Sequence, residues 1–407
     1  MKKMLLLVMA IAIIAVSFVA CGTKQAASTA AATTAAATKA AATTAAATQA
    51  PATQAAATTA AATTAAATSA AATTSAALPD PSTIKGEIAI MVPSADHGWT
   101  GAVLHAAEVK KDELTKAGYK SVNVYAATDE ASQIQQVEDL IAKGKDAVAG
   151  IAILPYDNGL QATLEKVSAA GIPFTQFDRL IDSDAMTTCV AKVVTDNVKI
   201  GYKSAEKFAA DGMTTDSIVY ILSGDTSSAA SSRTEGFKKY LKDNGWTDDQ
   251  IKKVTESPST GWDPAEAKTQ FTNWVDSTNF KDGTGVYVYC HDDGFVAGVL
   301  EVLSSGAVDS AKLDILKKNF KAICGCSYPS DLQKIMSGTH ETAKAPDGCD
   351  VFSVTYDPTK IQEAVNFLLE YLGGAKFDVD QTIDPTVITK ENMSQFTPFD
   401  TWETESK

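Results

Sequence analysis

From residue 87 onward, short apolar runs alternate with longer segments in which apolar residues recur at helical spacing. Glu87–Val92 is a nearly continuous apolar run, which predicts a buried strand, and residues 102–117 repeat apolar side chains along one face as far as Gly118, which predicts a helix. The other predicted strands are 122–126, 147–154, 173–178, 217–223, 285–290 and 321–325. The other predicted helices are 132–143, 158–170, 198–210, 232–244, 264–275 and 295–304.

This alternation predicts the fold class. Strands that alternate with helices of roughly ten to fifteen residues build parallel sheets with right-handed crossovers. One such series precedes residue 195 and another follows it. The pattern therefore predicts an α/β protein with two doubly wound parallel-sheet lobes.

The stretch 171–179 ends one predicted strand in charged side chains. Pro173 excludes a helix interior here, and Gly171 ends the helix before it. Asp178 can accept hydrogen bonds from ligand hydroxyls, and Arg179 can donate them in a fixed fork. Ligands of open α/β sheets bind beyond the carboxyl ends of the strands, so this pair is a candidate site. An ordinary surface ion pair would have the same sequence.

The first 83 residues predict export and tethering. Residues 1–21 combine two early lysines with an apolar run, a pattern that is typical of a secretory signal. The segment ends in Phe-Val-Ala-Cys, which resembles a bacterial lipobox with Cys21 as the lipidated residue. An uncleaved N-terminal anchor is the alternative. Residues 25–79 are almost only Ala, Thr, Ser and Gln, which cannot build a core, so 22–83 is predicted to be a disordered spacer. We expect a lipid-anchored protein on the outer, extracytoplasmic face of the cell membrane.

The chain beyond the spacer is acidic. The whole chain has 35 Lys and Arg residues and 49 Asp and Glu residues, of which four lysines and one aspartate lie before residue 84. The part from residue 84 onward therefore has 31 basic and 48 acidic residues and a net charge of −17. This charge argues against nucleic acid or an anionic membrane surface as a direct partner. The remaining length of about 320 residues is enough for two lobes.

The segments that follow the predicted strands are rich in polar and aromatic residues. They are the loop with Trp99, Phe177-Asp178-Arg179, 195–198, 233–237 and 291–298. In this order they resemble the type I periplasmic binding proteins of the ribose, galactose and xylose group, and 387–392 resembles the closing strand of that family.

The resemblance implies a three-segment hinge between the lobes. The crossings are expected near Thr195, Tyr356 and Ile383. The N-terminal lobe would contain 84–195 plus 357–383, and the C-terminal lobe would contain 196–356 plus 384–407. We expect a monomer whose direct protein partner is an ABC transporter permease.

The resemblance also implies that a monosaccharide binds between the lobes. Trp99 and Trp262 correspond to the aromatic residues that stack on the two faces of the sugar ring, although each could be an ordinary core residue. The side chains expected to bind the hydroxyls are Asp96, His97, Asp178, Arg179, Arg233 and Asp292. Arg233 could instead be a charge on a helix surface.

Nearby polar residues have other expected roles. Asp196 and Asp293 are expected to cap the helices that follow them. Thr195 and Asn197 could serve either the hinge or the ligand. Trp246, Trp274 and Trp402 lie in no such loop context and are expected to be structural.

Departures from the family pattern leave the identity of the sugar open. Gly325-Cys326-Ser327 stands where ribose binders carry Phe-Asp after a glycine, and Leu154-Pro155 stands where they carry Asn. Tyr356 replaces a Gln and is therefore expected to contact the ligand. Residues 340–350 form an insertion. No Asp-rich loop has the spacing of the calcium site of galactose binders, and we expect neither a metal nor a cofactor.

Five cysteines follow Cys21, an odd number that leaves at least one thiol free. They are Cys189, Cys290, Cys324, Cys326 and Cys349. We expect buried free thiols, with a pairing of Cys349 to Cys324 or Cys326 as the alternative.

Competing functions remain open at this point. His97 and His291 are each next to an acid in the sequence and could act as general acids or bases in an enzyme. No nucleophile motif, phosphate-binding loop or metal-ligand spacing accompanies them, so we do not expect an enzyme. A sugar-sensing module for a chemoreceptor or histidine kinase would have the same sequence. A binder of another small polar ligand is a further alternative.

Overall fold

The computed structural model describes residues 78–95, 98–306 and 308–402, in which the predicted alternation builds two sheets. The strands are β1 (Glu87–Pro93), β2 (Val122–Ala127), β3 (Val148–Ile153), β4 (Phe174–Phe177), β5 (Cys189–Thr195), β6 (Ile218–Leu222), β7 (Thr255–Glu256), β8 (Val286–Cys290), β9 (Phe320–Cys326), β10 (Asp350–Val354), β11 (Asp380–Ile383) and β12 (Val387–Ile388). The helices are α1 (Gly98–Ala117), α2 (Glu130–Lys143), α3 (Gln161–Ala169), α4 (Asn197–Ala210), α5 (Ser228–Asp243), α6 (Asp248–Ile251), α7 (Pro264–Ser277), α8 (Asp293–Ser304), α9 (Ser310–Asn319), α10 (Ser330–Ser337) and α11 (Ile361–Leu372).

Several predicted features lie outside the described residues. They are the signal segment 1–21 with Cys21, the spacer as far as residue 77, and Asp96 and His97. No helix within the described ranges is long and apolar enough to span a membrane.

The first sheet has the strand order β11-β5-β4-β3-β1-β2, and all of its pairings are parallel. Strand β1 shows how it is held. Ile88 and Ile90 point into one buried apolar cluster, and Ala89 and Met91 point into another on the opposite face. Because parallel strands linked by helices are covered on both faces, they are apolar throughout instead of alternating.

The second sheet has the order β12-β10-β9-β8-β6-β7 and is parallel except for the antiparallel edge strand β12. Its strand β6 again divides its residues between two clusters, with Tyr220 and Leu222 on one face and Val219 and Ile221 on the other. Each sheet therefore has its own core, and the two form separate α/β lobes.

The chain passes between the sheets three times. It leaves the first sheet after Thr195, returns to it after Val354 by way of α11, and leaves it again after Ile383 to form β12. This is the three-segment hinge that the resemblance implies.

The structured part begins earlier than the sequence indicates. Leu78, which lies within the predicted spacer, packs against the core of the first lobe, and the carbonyl of Pro79 accepts a hydrogen bond of 2.6 Å from the hydroxyl of Tyr119. Pro81–Thr83 forms a short 3-10 turn with Asp80 as its cap. Residues 78–83 thus belong with the first lobe, because the large apolar side chain of Leu78 and the two prolines Pro79 and Pro81 replace the small residues of the repeat.

Two helices of the second lobe pack unusually closely. A Cβ atom at Gly201 of α4 would lie 1.9 Å from the carbonyl oxygen of Arg233, and one at Gly236 of α5 would lie 1.9 Å from that of Val198. Only glycine permits this approach. It brings the side chain of Arg233 beside Asn197, at the start of α4.

Candidate functional site

Residues that follow strands of both sheets line one cavity of about 620 Å³. Seven of the nine residues predicted as ligand contacts are in its lining: Trp99, Asp178, Arg179, Arg233, Trp262, Asp292 and Tyr356. The other two, Asp96 and His97, are not described, although their neighbours Ala95 and Gly98 line the same cavity. A cavity of this volume is in the range of small-molecule sites.

Asp178 is one of the acids that line this cavity. It is buried, its backbone has a left-handed φ of 64°, and its Oδ1 has no hydrogen-bond partner among the described residues. Burial raises the pKa of this carboxyl to about 6, against the opposing effect of Arg179 and Arg233. A buried acceptor without a partner beside a cavity is available to a ligand hydroxyl.

The two arginines are held differently. Arg179 is half-buried, and its Nη1 donates to the carbonyl of Tyr156. Arg233 is buried at 2% exposure, so the interpretation of it as a helix-surface charge is wrong. Its Nε donates to Oδ1 of Asn197 at 2.9 Å and its Nη1 donates to the carbonyl of His291, which fixes the plane of the guanidinium.

Trp262 has a rigid support on one face. Three atoms of its six-membered ring would lie 2.4 to 2.5 Å from a Cβ atom at Gly224, so the ring lies directly on the glycine backbone. Trp262 also has a left-handed φ of 63°, an uncommon conformation for a bulky residue. The guanidinium carbon of Arg233 lies 5.5 Å from the ring centroid.

Trp99 is already stacked on protein. Its ring centroid lies 4.9 Å from that of Tyr356 at an interplanar angle of 21°, and 6.0 Å from that of Phe177 at 17°. Its Nε1 donates to the carbonyl of Tyr356 at 2.9 Å. The guanidinium of Arg233 lies 4.3 Å from the Tyr356 centroid, so a row of stacked groups runs from the first lobe through a hinge segment to the second.

Of the two acids at the start of α8, Asp292 caps the helix and Asp293 does not. Asp292 is the N-cap, because its Oδ1 accepts from the backbone N–H of Gly294 at 2.8 Å. The prediction that Asp293 caps this helix is therefore wrong. Asp293 is buried, its Oδ1 accepts from Oγ of Ser353 at 3.1 Å, and burial raises its pKa well above the usual range. Burial also raises the pKa of Asp292, while Gly294 and Arg233 oppose the rise.

His291 does not fit an acid-base role in the cavity. Its ring is fully buried, with Nδ1 accepting from the N–H of Gly224 at 3.3 Å and Nε2 3.3 Å from Oγ1 of Thr234. Burial and the neighbouring Arg233 lower its pKa well below the usual range. This removes the histidine on which the enzyme hypothesis relied in the second lobe.

At the first crossing between the lobes, Thr195 and Asn197 do not line the cavity of about 620 Å³. Asp196 caps α4 as predicted, accepting from the N–H of Lys199 at 2.9 Å. Thr195 lines a different cavity at the hinge, and Asn197 holds Arg233. Leu154 does not line the cavity of about 620 Å³ either, and its carbonyl accepts a hydrogen bond of 3.0 Å from Nε2 of Gln133.

Backbone strain is concentrated at this cavity. Among the described residues, the non-glycine residues with positive φ are Asp178, Trp262 and Ser327, and all three line it. Ser327 has a φ of 107° and donates from Oγ to the carbonyl of Tyr356 at 2.9 Å. Such strain is found where function requires a particular side-chain placement.

Several lining residues were missed by the sequence analysis, and two of them come from the C-terminal segment. Phe399 and Asp400 line the cavity from the C-terminal segment, which has no strand-end context and no counterpart among the family motifs. Only the aromatic and acidic composition of 396–402 could have drawn attention to it.

The five cysteines of the described ranges are free, so Cys349 does not pair with Cys324 or Cys326. Cys326 lines the cavity, and burial raises its thiol pKa to about 12. Within the described residues, no group of three or more His, Cys, Asp or Glu side chains is arranged to hold a metal ion.

Comparison with known proteins agrees with this architecture. The sequence model of a family described as a periplasmic binding protein domain matches residues 88–373. The ribose import binding protein of Bacillus subtilis (strain 168) is 31% identical over 199 residues, which are 48% of this chain and 59% of that protein. The D-apiose import binding protein of Actinobacillus succinogenes is 29% identical over 160 residues, 38% of this chain and 48% of that protein. The chain thus spans only about half to three-fifths of the length of these two relatives.

Solved structures share the fold at low sequence identity. A galactofuranose binding protein superposes with a TM-score of 0.60 at 18% identity, covering 76% of this chain and 96% of that one. The binding protein of an arabinose ABC transporter from Shewanella sp. ANA-3, bound to L-arabinofuranose, has a TM-score of 0.61 at 17% identity, covering 79% and 96%.

Proposed function

Because the chain belongs to the family of periplasmic binding protein domains, we propose that it captures a monosaccharide between its two lobes and delivers it to an ABC import permease. The observation that supports this most strongly is the convergence of side chains from both lobes on one cavity. Asp178 and Arg179 approach it from the first lobe, and Trp262 approaches it from the second. A ligand that touches both sets favours the closed arrangement of the lobes, which is how such proteins convert binding into a signal.

The chemistry of the cavity suits a cyclic polyol. Trp262 offers one flat apolar face, on which the C–H groups of a sugar ring can pack. Asp178, Asp292 and the arginines offer acceptors and donors for hydroxyl groups, and charged planar groups can hold two adjacent hydroxyls at once. The names of the relatives and of the similar structures, which refer to ribose, apiose, arabinose and galactofuranose, support a sugar of five or six carbons as the ligand.

The domain plan follows from the same proposal. Residues 78–195 and 357–383 form the N-terminal lobe, and residues 196–356 and 384–407 form the C-terminal lobe. Residues 1–21 act as a lipoprotein signal with Cys21 as the anchor, and 22–77 act as the spacer. The protein works as a monomer on the extracytoplasmic face of the membrane, and it has no catalytic role.

A thermal-shift screen tests the proposal. D-ribose, L-arabinose, D-galactose, D-allose and myo-inositol are compared with nucleosides and amino acids, since a bound ligand raises the stability by RT ln(1 + [L]/Kd). We expect at least one sugar to raise the melting temperature. Stabilisation by a nucleoside or amino acid alone would assign a different class of ligand.

Two tryptophan variants provide the control for the screen. Trp262→Ala should remove the shift caused by the sugar, because it deletes the stacking platform. Trp246→Ala should lower the melting temperature but keep the shift, because Trp246 packs at the edge of the second core and does not line the cavity. Equal loss of the shift in both variants would contradict the assignment of the cavity as the site.

A further inference from the structure

The last described residues are attached to the second lobe. The ring of Phe396 packs edge-on against that of Tyr328, with centroids 6.4 Å apart, and the N–H of Phe399 donates to the carbonyl of Tyr328 at 3.1 Å. Oδ1 of Asp400 accepts from both the backbone N–H and Oγ of Ser330, each at 2.7 Å. These contacts fix residues 396–400 between the end of β9 and the start of α10.

Two residues further on, the same segment reaches the first lobe. The ring of Trp402 stacks on that of His105 with centroids 4.7 Å apart and an interplanar angle of only 9°. His105 lies in the middle of α1, a helix whose other face packs into the core of the first lobe. The segment therefore connects the lobes by side-chain contacts, in addition to the three covalent crossings.

The segment also separates two cavities. Phe399 and Asp400 line the ligand cavity. Phe396, Phe399 and Trp402 line a second cavity of about 610 Å³, whose other walls are His105 on α1 and the hinge residues Thr195 and Ile383. A segment in this place must change its contacts whenever the lobes rotate about the hinge.

We propose that residues 396–402 form a C-terminal strap that restricts the opening of the lobes and completes one wall of the ligand site. The strap lies beyond the region that the family model matches, which ends at residue 373. The second part of the proposal rests on the proposed function, because it takes the cavity of about 620 Å³ as the ligand site. The first part does not, since the contacts of the strap hold the lobes with or without ligand.

The two parts of the strap have different roles. The contacts with Tyr328 and Ser330 lie within one lobe and are kept when the lobes move apart. The stack of Trp402 on His105 crosses between lobes, so it is lost on opening and stabilises only the arrangement in which the rings meet. An aromatic pair of this kind changes an equilibrium by roughly three- to tenfold.

The distance between the lobes tests the strap directly in the full-length, ligand-free protein. Spin labels on unnatural amino acids at Lys120 and Lys281, two exposed positions on different lobes, report this distance by electron-electron resonance. We expect Trp402→Ala to increase the population at long distances by roughly three- to tenfold. His105→Ala removes the same stack from the other side, and the double variant should change no more than either single one.

The matched control is Tyr371→Ala, which also deletes an aromatic side chain. Tyr371 lies on the first lobe, is 45% exposed and lines neither cavity. It should leave the distances unchanged. Unchanged distances in both Trp402→Ala and His105→Ala would overturn the strap, even if the variants were less stable. If Trp402→Ala fails to fold, His105→Ala alone decides in the same way.

Binding separates this inference from the proposed function. D-ribose, L-arabinose and D-galactose are titrated into the parent, Trp402→Ala and Tyr371→Ala proteins. If the parent binds one of these sugars, we expect Trp402→Ala to bind it roughly three- to tenfold more weakly. Tyr371→Ala should bind it with the affinity of the parent. Parent-like affinity in Trp402→Ala would overturn the link between strap and ligand. If no parent protein binds any sugar, the proposed function fails, and the label distances still decide whether the strap exists.

Discussion

Replacing Asp178 by asparagine should stabilise the ligand-free protein and weaken its affinity for sugar. Asn has the same shape as Asp and tolerates the left-handed φ of 64° at this position, so the backbone is kept. The substitution removes only the charge. It therefore isolates the effect of burying an ionised carboxylate beside the cavity.

The magnitude follows from the pKa of Asp178. Burial raises this pKa from 3.8 to about 6. At 1.36 kcal/mol for each pKa unit, ionising the carboxyl in the folded state lowers the free energy of unfolding by about 3 kcal/mol. Below pH 3.8 the carboxyl is protonated in both the folded and the unfolded state and has no effect. Between pH 3.8 and 6 the folded state binds more protons, so stability falls as the pH rises, and above pH 6 the loss is complete. At pH 7, Asp178→Asn should thus recover up to about 3 kcal/mol, less the cost of burying its amide.

Binding should depend on pH in the opposite direction. A ligand hydroxyl donates to the carboxylate form of Asp178, so affinity should be high above pH 6 and fall as the pH decreases through about 6. The Asn variant has an oxygen acceptor but no charge, so its affinity should be lower at pH 7 by about 1.5–3 kcal/mol, the range for a hydrogen bond to a charged group. Its affinity should also lose the pH dependence in this range.

Urea denaturation and calorimetry at pH 5 and pH 7 measure both effects, with the sugar that gives the largest thermal shift. Asp184→Asn is the matched control, because Asp184 lies on the same loop and is exposed. The control should change neither stability nor affinity. The reasoning is refuted if Asp178→Asn is no more stable than Asp184→Asn at pH 7, or if it binds the sugar as tightly as the parent.

Three further outcomes can be measured. Arg233→Met should weaken sugar binding by about 2–5 kcal/mol in calorimetry and also lower the melting temperature, because the carbonyl of His291 loses its buried donor; parent-like binding would contradict this. Gly224→Ala should push the ring of Trp262 off its support and weaken binding at least tenfold, whereas Gly306→Ala, with no atom within 4 Å of the added Cβ, should bind normally. Small-angle scattering should show a smaller radius of gyration on addition of sugar, and binding without contraction would exclude the two-lobe clamp.

The alternation of strands and helices was predictable because it depends on local patterns. The family match and the two parallel-sheet lobes confirm the recognition and the fold class drawn from these patterns. Elements without a strong pattern were missed, including β5, the edge strands β7 and β11, and α9 to α11. Strand β5 was missed because Lys192 interrupts its apolar run. This lysine forms an ion pair with Asp182, in the loop that precedes the strand.

The candidate site was predictable as a set of residues but not as an arrangement. Motifs at strand ends named seven residues that the fold brings to one cavity. They could not show that Tyr356 covers Trp99, since that stack joins residues 257 positions apart. Nor could they show that Asp292 rather than Asp293 caps α8, because either acid satisfies the sequence pattern for an N-cap.

The cavity concentrates features that disfavour folding. A desolvated acid, the left-handed residues Asp178, Trp262 and Ser327, and a tryptophan resting on bare backbone all adjoin the same space. Packing alone would not select any of them, because an apolar residue or a glycine would fold more easily at each position. A ligand that donates to Asp178 and stacks on Trp262 turns the same features into favourable contacts. Removing the charge of Asp178 should therefore raise the stability of the ligand-free protein and lower its affinity for the ligand. Replacing Arg233 should lower both, because this side chain lines the cavity and also donates a hydrogen bond within its own lobe.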